Sequence, residues 1–384
     1  MHIAIDAVTA NRQVRGPDRY LIRLLQALAQ LDDDTRFTVF HAHWQTYLEN
    51  LGLDPRFTFV RLQPPGGRVL RVLWHAVVFP ALARRVQPDV LHLINPVYLW
   101  RYRGHVVTTV HDVGQYRYPE KMGWLRSMLL RHLWPYSVAQ ADRVIVVSDY
   151  TRRDAVRFLR YPDESMHTIW LGGPDAVAPA SPTAPAVEAA GAPPYFLYVG
   201  AVERSKNVER LVAAFLGSAA LRAAGAELVV VGRVGNSGPA IQQLLAQHAD
   251  AARVRLRGYV TDAELPALYR GAAAFVFLSL IEGFGLVLLE AMAYGTPVIA
   301  ADASVTPEVV GDAALLVDGE DTAAIGAAME RLLELPQLGA TLRARGTARL
   351  ALFSWQRNAE QTLVTYRAAL GDPGRAGREV ERRG

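Results

Sequence analysis

Two glutamates, Glu282 and Glu290, bracket a glycine-rich loop and the start of a predicted helix in the second half of the chain. The apolar run 272–278 precedes them and predicts a buried strand, whereas Gly295 and Pro297 predict the end of the helix. A loop that joins a strand to a helix N-terminus presents backbone N–H groups, which bind phosphate or another anion. Carboxylates repel phosphate, so the two glutamates should face hydroxyl groups such as those of a ribose and a sugar.

A cationic side chain that could balance a phosphate or another anion follows the predicted strand 195–199. Lys206 is one of only two lysines among the 41 lysine and arginine residues of the chain. Where arginine is so strongly preferred, a retained lysine favours a site that needs a compact ammonium group. When no metal ion is present, such an ammonium group or backbone amides can stabilise negative charge that develops during a reaction. Asp32, Asp33 and Asp34 have the spelling of a D-x-D metal motif, but they lie between a predicted helix and a strand and are interpreted as a solvated loop.

Two segments of the first half also place polar residues at the ends of predicted strands. His111 and Asp112 follow the strand 106–110, where a histidine is well placed to face a cleft and an aspartate to orient its loop. Gly16 and Asp18 lie in a loop near the start of the chain. Asp18 is expected either to contact an acceptor hydroxyl or to cap the following helix.

These residues lie in longer strings that resemble one enzyme family. The segment 282–300 contains E-G-F-G-L, L-E-A-M-A and G-T-P-V-I-A, and T-P-E-V-V-G-D-A-A follows at 306–314. Together they resemble the E-x7-E signature of the family-4 retaining glycosyltransferases, which have the GT-B fold. The resemblance covers nearly the whole chain and is strongest over 195–317.

The resemblance implies a role for each of these residues in binding a nucleotide-sugar donor. Glu290 would bind the ribose, Glu282 the sugar, and Lys206 the diphosphate together with the loop amides. The segment 200–207 is similar to G-x-x-E-x-R-K-N, although Ala201 and Ser205 stand where many relatives have arginine. The residues expected to contact the donor are Arg204, Lys206, Arg233, Tyr259, Val260, Glu282, Gly283, Phe284, Gly285, Leu286 and Glu290.

The first half resembles the mannosyltransferase-like branch of the same family. His111 and Asp112, with Pro119 and Glu120, match its H-D…P-E segment, in which the histidine lies beside the donor sugar. The expected catalytic residues are therefore His111, Glu282 and Lys206. The acceptor-side residues are expected to be Gly16, Asp18 and Asp112. Here the chain departs from the G-x-G-R-Y string of many relatives, because an aspartate replaces the second glycine.

Apolar strands alternate with helical patterns throughout, which predicts an α/β fold with parallel, doubly wound sheets. Twelve strands are predicted, at 2–7, 37–41, 57–61, 90–93, 106–110, 143–147, 195–199, 227–231, 254–257, 274–278, 297–300 and 314–317. The Pro- and Ala-rich stretch 173–194 is interpreted as a linker. We expect two Rossmann-like domains facing across a cleft, 1–172 for the acceptor and 195–352 for the nucleotide sugar. A helix over 353–370 would cross back to the first domain, as the resemblance implies, and 371–384 is predicted to be a disordered tail.

Composition limits the classes of site and location. The absence of cysteine excludes disulfides and cysteine-based metal sites, and the net charge of +4 is compatible with an anionic partner. No apolar run reaches transmembrane length, and the start of the chain reads directly as a strand, so a cytoplasmic protein is expected. Arginines mixed with aromatic residues at 100–103 and 124–134 indicate either a packed amphipathic helix or peripheral contact with an anionic inner membrane surface. No motif indicates nucleic-acid binding.

The sequence therefore predicts a metal-independent hexosyltransferase that needs no cofactor beyond its nucleotide-sugar substrate. The resemblance favours mannose from GDP-mannose, passed to a glycan or lipid-linked acceptor in the synthesis of a surface polysaccharide. A nucleotide-sugar 2-epimerase would share the GT-B architecture, although the E-G-F-G string argues against it. A catalytically silent partner in a polysaccharide assembly complex is the other alternative, since the first loop and the arginine positions depart from the family pattern.

Overall fold

The computed structural model describes residues 1–8, 16–117, 124–174 and 192–371. It divides into two compact units: an N-terminal unit, Met1–Gly172 with Ser354–Gly384, and a C-terminal unit, Gly173–Phe353. Pro119, Glu120, most of the predicted linker and the predicted tail lie outside the described residues.

The N-terminal unit is built on a seven-stranded parallel sheet. Its strands pair in the order β3-β2-β1-β4-β5-β6-β7. Their bounds are β1 (His2–Asp6), β2 (Arg36–Ala42), β3 (Phe57–Leu62), β4 (Val90–Leu93), β5 (His105–Val110), β6 (Arg143–Val146) and β7 (Met166–Thr168). The helices are α1 (Gly16–Ala29), α2 (Arg68–Val77), α3 (Phe79–Arg85), α4 (Gly114–Arg117), α5 (Trp124–Val138) and α6 (Asp149–Leu159).

The C-terminal unit is built on a six-stranded parallel sheet in the order β10-β9-β8-β11-β12-β13. The strands are β8 (Tyr195–Val199), β9 (Glu227–Val231), β10 (Val254–Gly258), β11 (Ala274–Phe277), β12 (Val298–Ala301) and β13 (Ala314–Val317). The helices are α7 (Val208–Gly217), α8 (Ala219–Ala223), α9 (Gly238–Ala246), α10 (Leu265–Gly271), α11 (Leu286–Ala293), α12 (Thr306–Val310), α13 (Thr322–Glu334) and α14 (Pro336–Leu350).

All twelve predicted strands are present, and their ends differ from the expected ones by no more than one residue. The side chains of the inner strands are largely buried because helices cover both faces of a parallel sheet, and this burial produces their continuous apolar runs. The edge strands β3, β10 and β13 are mostly exposed or half-buried. The prediction missed β7 (Met166–Thr168), which pairs only with β6 at the edge of the sheet. A strand of three residues is too short to produce a recognisable pattern.

The last helix, α15 (Trp355–Leu370), belongs to the N-terminal unit, which confirms that the chain returns to its first domain. Ser354 caps the helix by accepting a hydrogen bond from the Arg357 amide at 3.3 Å. Tyr366 is fully buried on the inner face of the helix, and its hydroxyl lies 2.8 Å from Nδ1 of His92 on β4. The helix is thereby joined to the centre of the sheet.

Candidate functional site

Lys206 and Glu282 meet at the carboxyl edge of the C-terminal sheet. Lys206 follows β8 and Glu282 follows β11, two strands that lie side by side although two further strands separate them in the sequence. The strand order reverses between β8 and β11, and the crevice at such a point is where ligands bind in open α/β sheets. Nζ of Lys206 forms an ion pair with Oε1 of Glu282, and both side chains are partly exposed.

Lys206 is held at the edge by its two neighbours. It ends a short 3₁₀ turn, Arg204–Lys206, in which Ser205 is buried and its carbonyl accepts a hydrogen bond from the Leu280 amide at 2.9 Å. Asn207 adopts a left-handed conformation, with φ of 60°, and its side-chain amide donates to the Gly319 carbonyl at 2.6 Å. These bonds direct the lysine away from the core toward the edge of the sheet.

The Glu282 loop is fixed by two serines. Oγ of Ser279 donates to the Glu282 carboxylate at 3.3 Å. Oγ of Ser304 accepts from the Glu282 amide at 2.9 Å and donates to the Glu282 carbonyl at 3.1 Å. Sequence reasoning missed Ser304, because it follows β12 and reaches Glu282 only through the pairing of β11 with β12.

The loop then enters α11 through a glycine that the backbone requires. Gly285 has φ of +90°, and a Cβ there would lie 3.1 Å from the Leu288 side chain. The predicted helix ends as expected, since Gly295 follows it with φ of +70°. The Leu288 amide donates to the Gly285 carbonyl at 2.9 Å, whereas the two helical amides before it have no acceptor within the helix because of their position, so the N-terminus can bind an anion. Phe284 points elsewhere: its buried ring packs edge-on against Phe353 with centroids 5.8 Å apart, so this residue can offer only its backbone.

Glu290 lies one turn into α11, where its Oε2 accepts a hydrogen bond from the Tyr269 hydroxyl at 3.2 Å. Tyr269 is fully buried on α10 and stacks on Tyr294 with centroids 5.5 Å apart. Its carbonyl accepts from Oγ1 of Thr296 at 2.7 Å. Tyr269 was not predicted from the sequence, where it reads as an ordinary core residue, yet it fixes the orientation of the carboxylate.

Arg233 follows β9, the strand beside β8. Its guanidinium pairs with Glu203 at 3.1 Å and is largely exposed. The preceding Gly232 approaches the loop after β8 so closely that a Cβ would lie 1.9 Å from the Gly200 carbonyl oxygen. The Arg204 side chain is exposed, and its amide donates to Oδ1 of Asn236 at 3.0 Å.

The segment after β10 could contact a ligand through the side chain of Tyr259 and the main chain of Val260. Tyr259 is 82% exposed, whereas the Val260 side chain is 6% exposed. The buried valine could therefore meet a base only through its backbone.

His111 lies after β5 in the N-terminal unit. Its Nε2 donates to the Ile94 carbonyl at 3.0 Å, and its ring meets Tyr20 edge-on with centroids 4.9 Å apart. Burial lowers the His111 pKa to about 4, although the neighbouring Asp112 carboxylate acts in the opposite direction. The imidazole is therefore neutral at pH 7, and because Nε2 carries the proton, Nδ1 is the acceptor. Asp112 closes the following turn by accepting from the Gly114 amide at 2.8 Å.

The predicted acceptor-side loop is wrong in one respect: Gly16 and Asp18 lie inside the first turn of α1 rather than before it. Pro17 is the second residue of the helix, a place that proline tolerates because the N–H it lacks would have no acceptor in the first turn. Asp18 is buried and lies beside Tyr47, whose pKa rises to about 12 through burial and the nearby carboxylate.

The aspartate triplet lies in a loop, as expected. Asp33 accepts from the Thr35 amide at 2.8 Å and pairs with Arg367 of α15 at 2.6 Å. Among the residues that the structure describes, no group of three or more histidine, cysteine or carboxylate side chains is placed to hold a metal ion. Within the same ranges, no helix is both long enough and apolar enough to cross a membrane.

Two family models together match most of the chain. The model described as Glycosyl transferases group 1 matches residues 183–349, which carry Lys206, Glu282 and Glu290. The model described as Glycosyltransferase Family 4 matches residues 14–172, which carry His111.

Individual proteins extend the similarity over nearly the full length. The chain is 32% identical over 371 residues to O-antigen chain mannosyltransferase B of Escherichia coli, covering 92% of this chain and 96% of that protein. Sucrose-phosphate synthase from Thermosynechococcus elongatus has a similar structure, with a TM-score of 0.74, 23% identity and coverage of 95% and 98% of the two chains. HepE from Anabaena, solved in complex with UDP and glucose, gives a TM-score of 0.69 at 18% identity, with 95% and 99% covered.

Proposed function

The chain belongs to glycosyltransferase family 4, and on that premise we propose that it transfers mannose from GDP-mannose to a glycan or lipid-linked saccharide. The transfer would retain the configuration at the sugar and serve the synthesis of a surface polysaccharide. The observation that carries the proposal is the pairing of Lys206 with Glu282 at the switch point of the C-terminal sheet, beside the start of α11. The choice of mannose is supported by the E. coli relative, whose name states an O-antigen chain mannosyltransferase.

In the proposed mechanism Lys206 contacts the diphosphate and Glu282 contacts the sugar, on the two sides of the bond that breaks. The ammonium group neutralises charge that develops on the departing diphosphate, together with the amides at the start of α11. The Glu282 carboxylate, held by Ser279, accepts hydrogen bonds from sugar hydroxyls. The C1–O bond to the diphosphate breaks, the acceptor oxygen bonds to C1 on the same face, and the acceptor proton passes to the leaving phosphate oxygen.

The proposed role of Glu290 is to hold the ribose. A carboxylate has enough lone pairs to accept from two adjacent hydroxyls while one oxygen also accepts from Tyr269. The tyrosine keeps the carboxylate in one orientation before the donor binds, which reduces the ordering cost of binding.

The test is an NMR assay with GDP-mannose as donor and octyl α-mannoside as a simple acceptor, with and without EDTA. A new α-mannosyl linkage that forms equally well in EDTA supports the retaining, metal-independent transfer. A β linkage would contradict retention, and loss of product in EDTA would contradict metal independence.

The same spectra separate the rival functions. Conversion of the donor at C2 without an acceptor would identify an epimerase. Failure to turn over GDP-mannose, UDP-glucose and a dTDP-sugar with mannoside, glucoside and galactoside acceptors would favour a silent partner.

A further inference from the structure

The His111 ring is held on two sides by residues outside its own loop. On one side its Nε2 donates to the Ile94 carbonyl at 3.0 Å. On another side it meets the Tyr20 ring edge-on, with centroids 4.9 Å apart and planes at 76°. The neighbouring Asp112 side chain closes its own turn onto the Gly114 amide. A hydrogen bond at one nitrogen still allows the imidazole to pivot, so the Tyr20 ring is a contact that limits its rotation.

Tyr20 is itself held by a set of buried polar side chains. It lies on α1, and its hydroxyl oxygen is 3.4 Å from Oγ1 of Thr109 on β5. The same Thr109 oxygen lies 2.8 Å from Nε2 of His92 on β4, and Nδ1 of His92 lies 2.8 Å from the Tyr366 hydroxyl on α15. All four side chains are buried, and they are named here the buried network. It joins four elements that are distant in the sequence.

His92, at the centre of the buried network, is neutral at pH 7. Burial and the nearby His111 lower the His92 pKa to about 3. A neutral imidazole has one donor nitrogen and one acceptor nitrogen, and a hydroxyl can serve either of them. The Thr109 and Tyr366 hydroxyls therefore satisfy both sides of the ring. A buried polar group without a partner is costly, so these bonds favour one arrangement of the four side chains over its alternatives.

The last helix supports Tyr20 at two points. Tyr366 ends the buried network, and Trp355, the first residue of α15, lies against the Tyr20 ring with centroids 6.2 Å apart. The two helix residues are about three turns apart, so both project from one face of α15. Trp355 is also closely packed, because a Cβ at Gly172 would lie 2.4 Å from its ring. The helix therefore restrains the tyrosine that restrains His111.

We propose that Tyr20 is a positioning residue for His111, and that α15 completes the His111 site by holding Tyr20 in place. This role rests on the proposed transfer reaction and on the expectation that His111 lies beside the donor sugar. It explains why the tyrosine of the string that resembles G-x-G-R-Y is buried rather than exposed to an acceptor. An imidazole that is held in one orientation before the donor binds needs no reordering when the reaction begins.

NMR of the full chain with ¹⁵N-labelled histidine tests the contact without donor or acceptor, so its result does not depend on the proposed transfer. Long-range ¹H–¹⁵N correlations report which ring nitrogen carries the proton, and His111→Asn identifies the His111 signals. In the wild type His111 should show only the form protonated at Nε2. In Tyr20→Leu its two nitrogen shifts should move toward each other, because the freed ring exchanges between tautomers. Tyr20→Phe keeps the aromatic ring and should keep the wild-type signals.

Tyr366→Phe is the mildest variant, because it removes a single oxygen from the far end of the buried network. It should move the nitrogen signals of His92, which loses a partner, and broaden those of His111. Unchanged His111 signals in Tyr20→Leu would overturn the proposal. If Tyr20→Leu does not fold, unchanged His111 signals in Tyr366→Phe would overturn it instead.

Steady-state kinetics with GDP-mannose connect the position of the ring to the reaction. Tyr20→Leu should lower kcat by about tenfold to a hundredfold, because a small misplacement of a reacting group is costly. The KM for the donor should stay near the wild-type value, since the residues proposed to hold the donor lie in the C-terminal unit. Tyr20→Phe should recover kcat to within about threefold of wild type, since it lacks only one hydrogen bond. A raised KM at unchanged kcat would overturn the proposal by assigning Tyr20 to substrate binding.

The matched control is Tyr161→Leu, which removes another buried tyrosine ring from the same unit. The Tyr161 hydroxyl donates at 3.0 Å to the carbonyl of Ala141, which precedes β6, whereas His111 follows β5. Because the strands are parallel, the two tyrosines act at opposite edges of the sheet. The control should lose stability as Tyr20→Leu does, yet keep kcat and the His111 signals. Equal losses of kcat in the two leucine variants would indicate general destabilisation and would overturn the proposal.

Discussion

The Lys206 ammonium and the Glu282 carboxylate form an ion pair across adjacent strands that are far apart in the sequence. Each charge is partly exposed, so the pair by itself contributes little to folding stability. Its position at the switch point instead indicates two opposite charges kept ready for a substrate that has both an anionic diphosphate and a sugar rich in hydroxyls.

Replacing Lys206 with alanine should lower kcat/KM by about a hundredfold to a thousandfold, the usual cost of removing one group that stabilises transition-state charge. Steady-state kinetics with GDP-mannose measures this change. The matched control is Arg222→Ala, which breaks the surface ion pair with Asp250 on another part of the same unit and should leave the rate unchanged. A Lys206→Ala enzyme within a few-fold of wild type would exclude the proposed role.

Replacing Glu290 with glutamine should weaken GDP binding by about tenfold, because a neutral amide accepts ribose hydrogen bonds less strongly than a carboxylate. Tyr269→Phe should have a smaller effect in the same direction, since it removes only the hydroxyl that orients the carboxylate. Titration calorimetry measures both. Glu334→Gln, at the exposed end of α13, provides the control and should bind GDP normally. Equal affinities for Glu290→Gln and wild type would contradict the ribose assignment.

Replacing Gly232 with alanine should destabilise the chain by about 3 kcal/mol or more, because the new Cβ would collide with the Gly200 carbonyl, a backbone atom that cannot move aside. Gly217→Ala is the matched control: it lies at the end of α7, where nothing is within 4 Å of a new Cβ. Its effect should stay within about 1 kcal/mol. Chemical denaturation measures the free energy of unfolding of both variants. Equal values would contradict the close contact between Gly232 and the Gly200 carbonyl.

Acid should destabilise the N-terminal unit through its neutral histidines. Burial lowers the pKa of His92 to about 3 and that of His111 to about 4, from the usual histidine value of 6.5. Between pH 6.5 and the lowered pKa of each histidine, the unfolded chain binds protons at these histidines that the folded chain does not. The free energy of unfolding therefore falls as pH decreases below 6.5, by up to about 1.4 kcal/mol per pH unit for each histidine.

Denaturation curves between pH 7.5 and pH 4.5 measure that slope. A His92→Gln variant is less stable at pH 7.5, because Thr109 and Tyr366 lose a ring that lies 2.8 Å from each. Its stability should nevertheless depend less steeply on pH than that of the wild type. An unchanged slope would show that His92 is not the titrating group.

The sequence predicted the sheets well because each inner strand is buried on both faces and leaves an apolar run. It also identified Lys206, Glu282 and Glu290 as residues of special chemistry, which the structure places at the edge of one sheet or on the helix that follows it. It could not identify Ser304 or Tyr269, because their contacts with Glu282 and Glu290 arise only when separate strands and helices pack together.

Two local features were also beyond sequence reasoning. The start of α1 was placed too late, since a glycine and a proline usually indicate a loop but are both compatible with a first helical turn. The outward face of α2, where Leu70 and Leu73 are exposed, contradicts the usual rule that leucines point inward, because the buried Asp6–His75 contact determines the rotation of the helix. Such a contact joins residues 69 positions apart, so no local sequence pattern predicts it.

We propose that Lys206 and its neighbours form the binding site of a guanosine diphosphate sugar. The most direct measurement is the thermal shift of the wild-type and Lys206→Ala chains with GDP, UDP and dTDP at equal concentrations, because only a ligand that binds the folded state raises the midpoint. We predict a selective rise with GDP that the variant loses. A selective rise with UDP or dTDP would overturn the choice of donor. An absence of any shift in folded wild-type chain, or a GDP shift that Lys206→Ala retains in full, would contradict the assignment of the site.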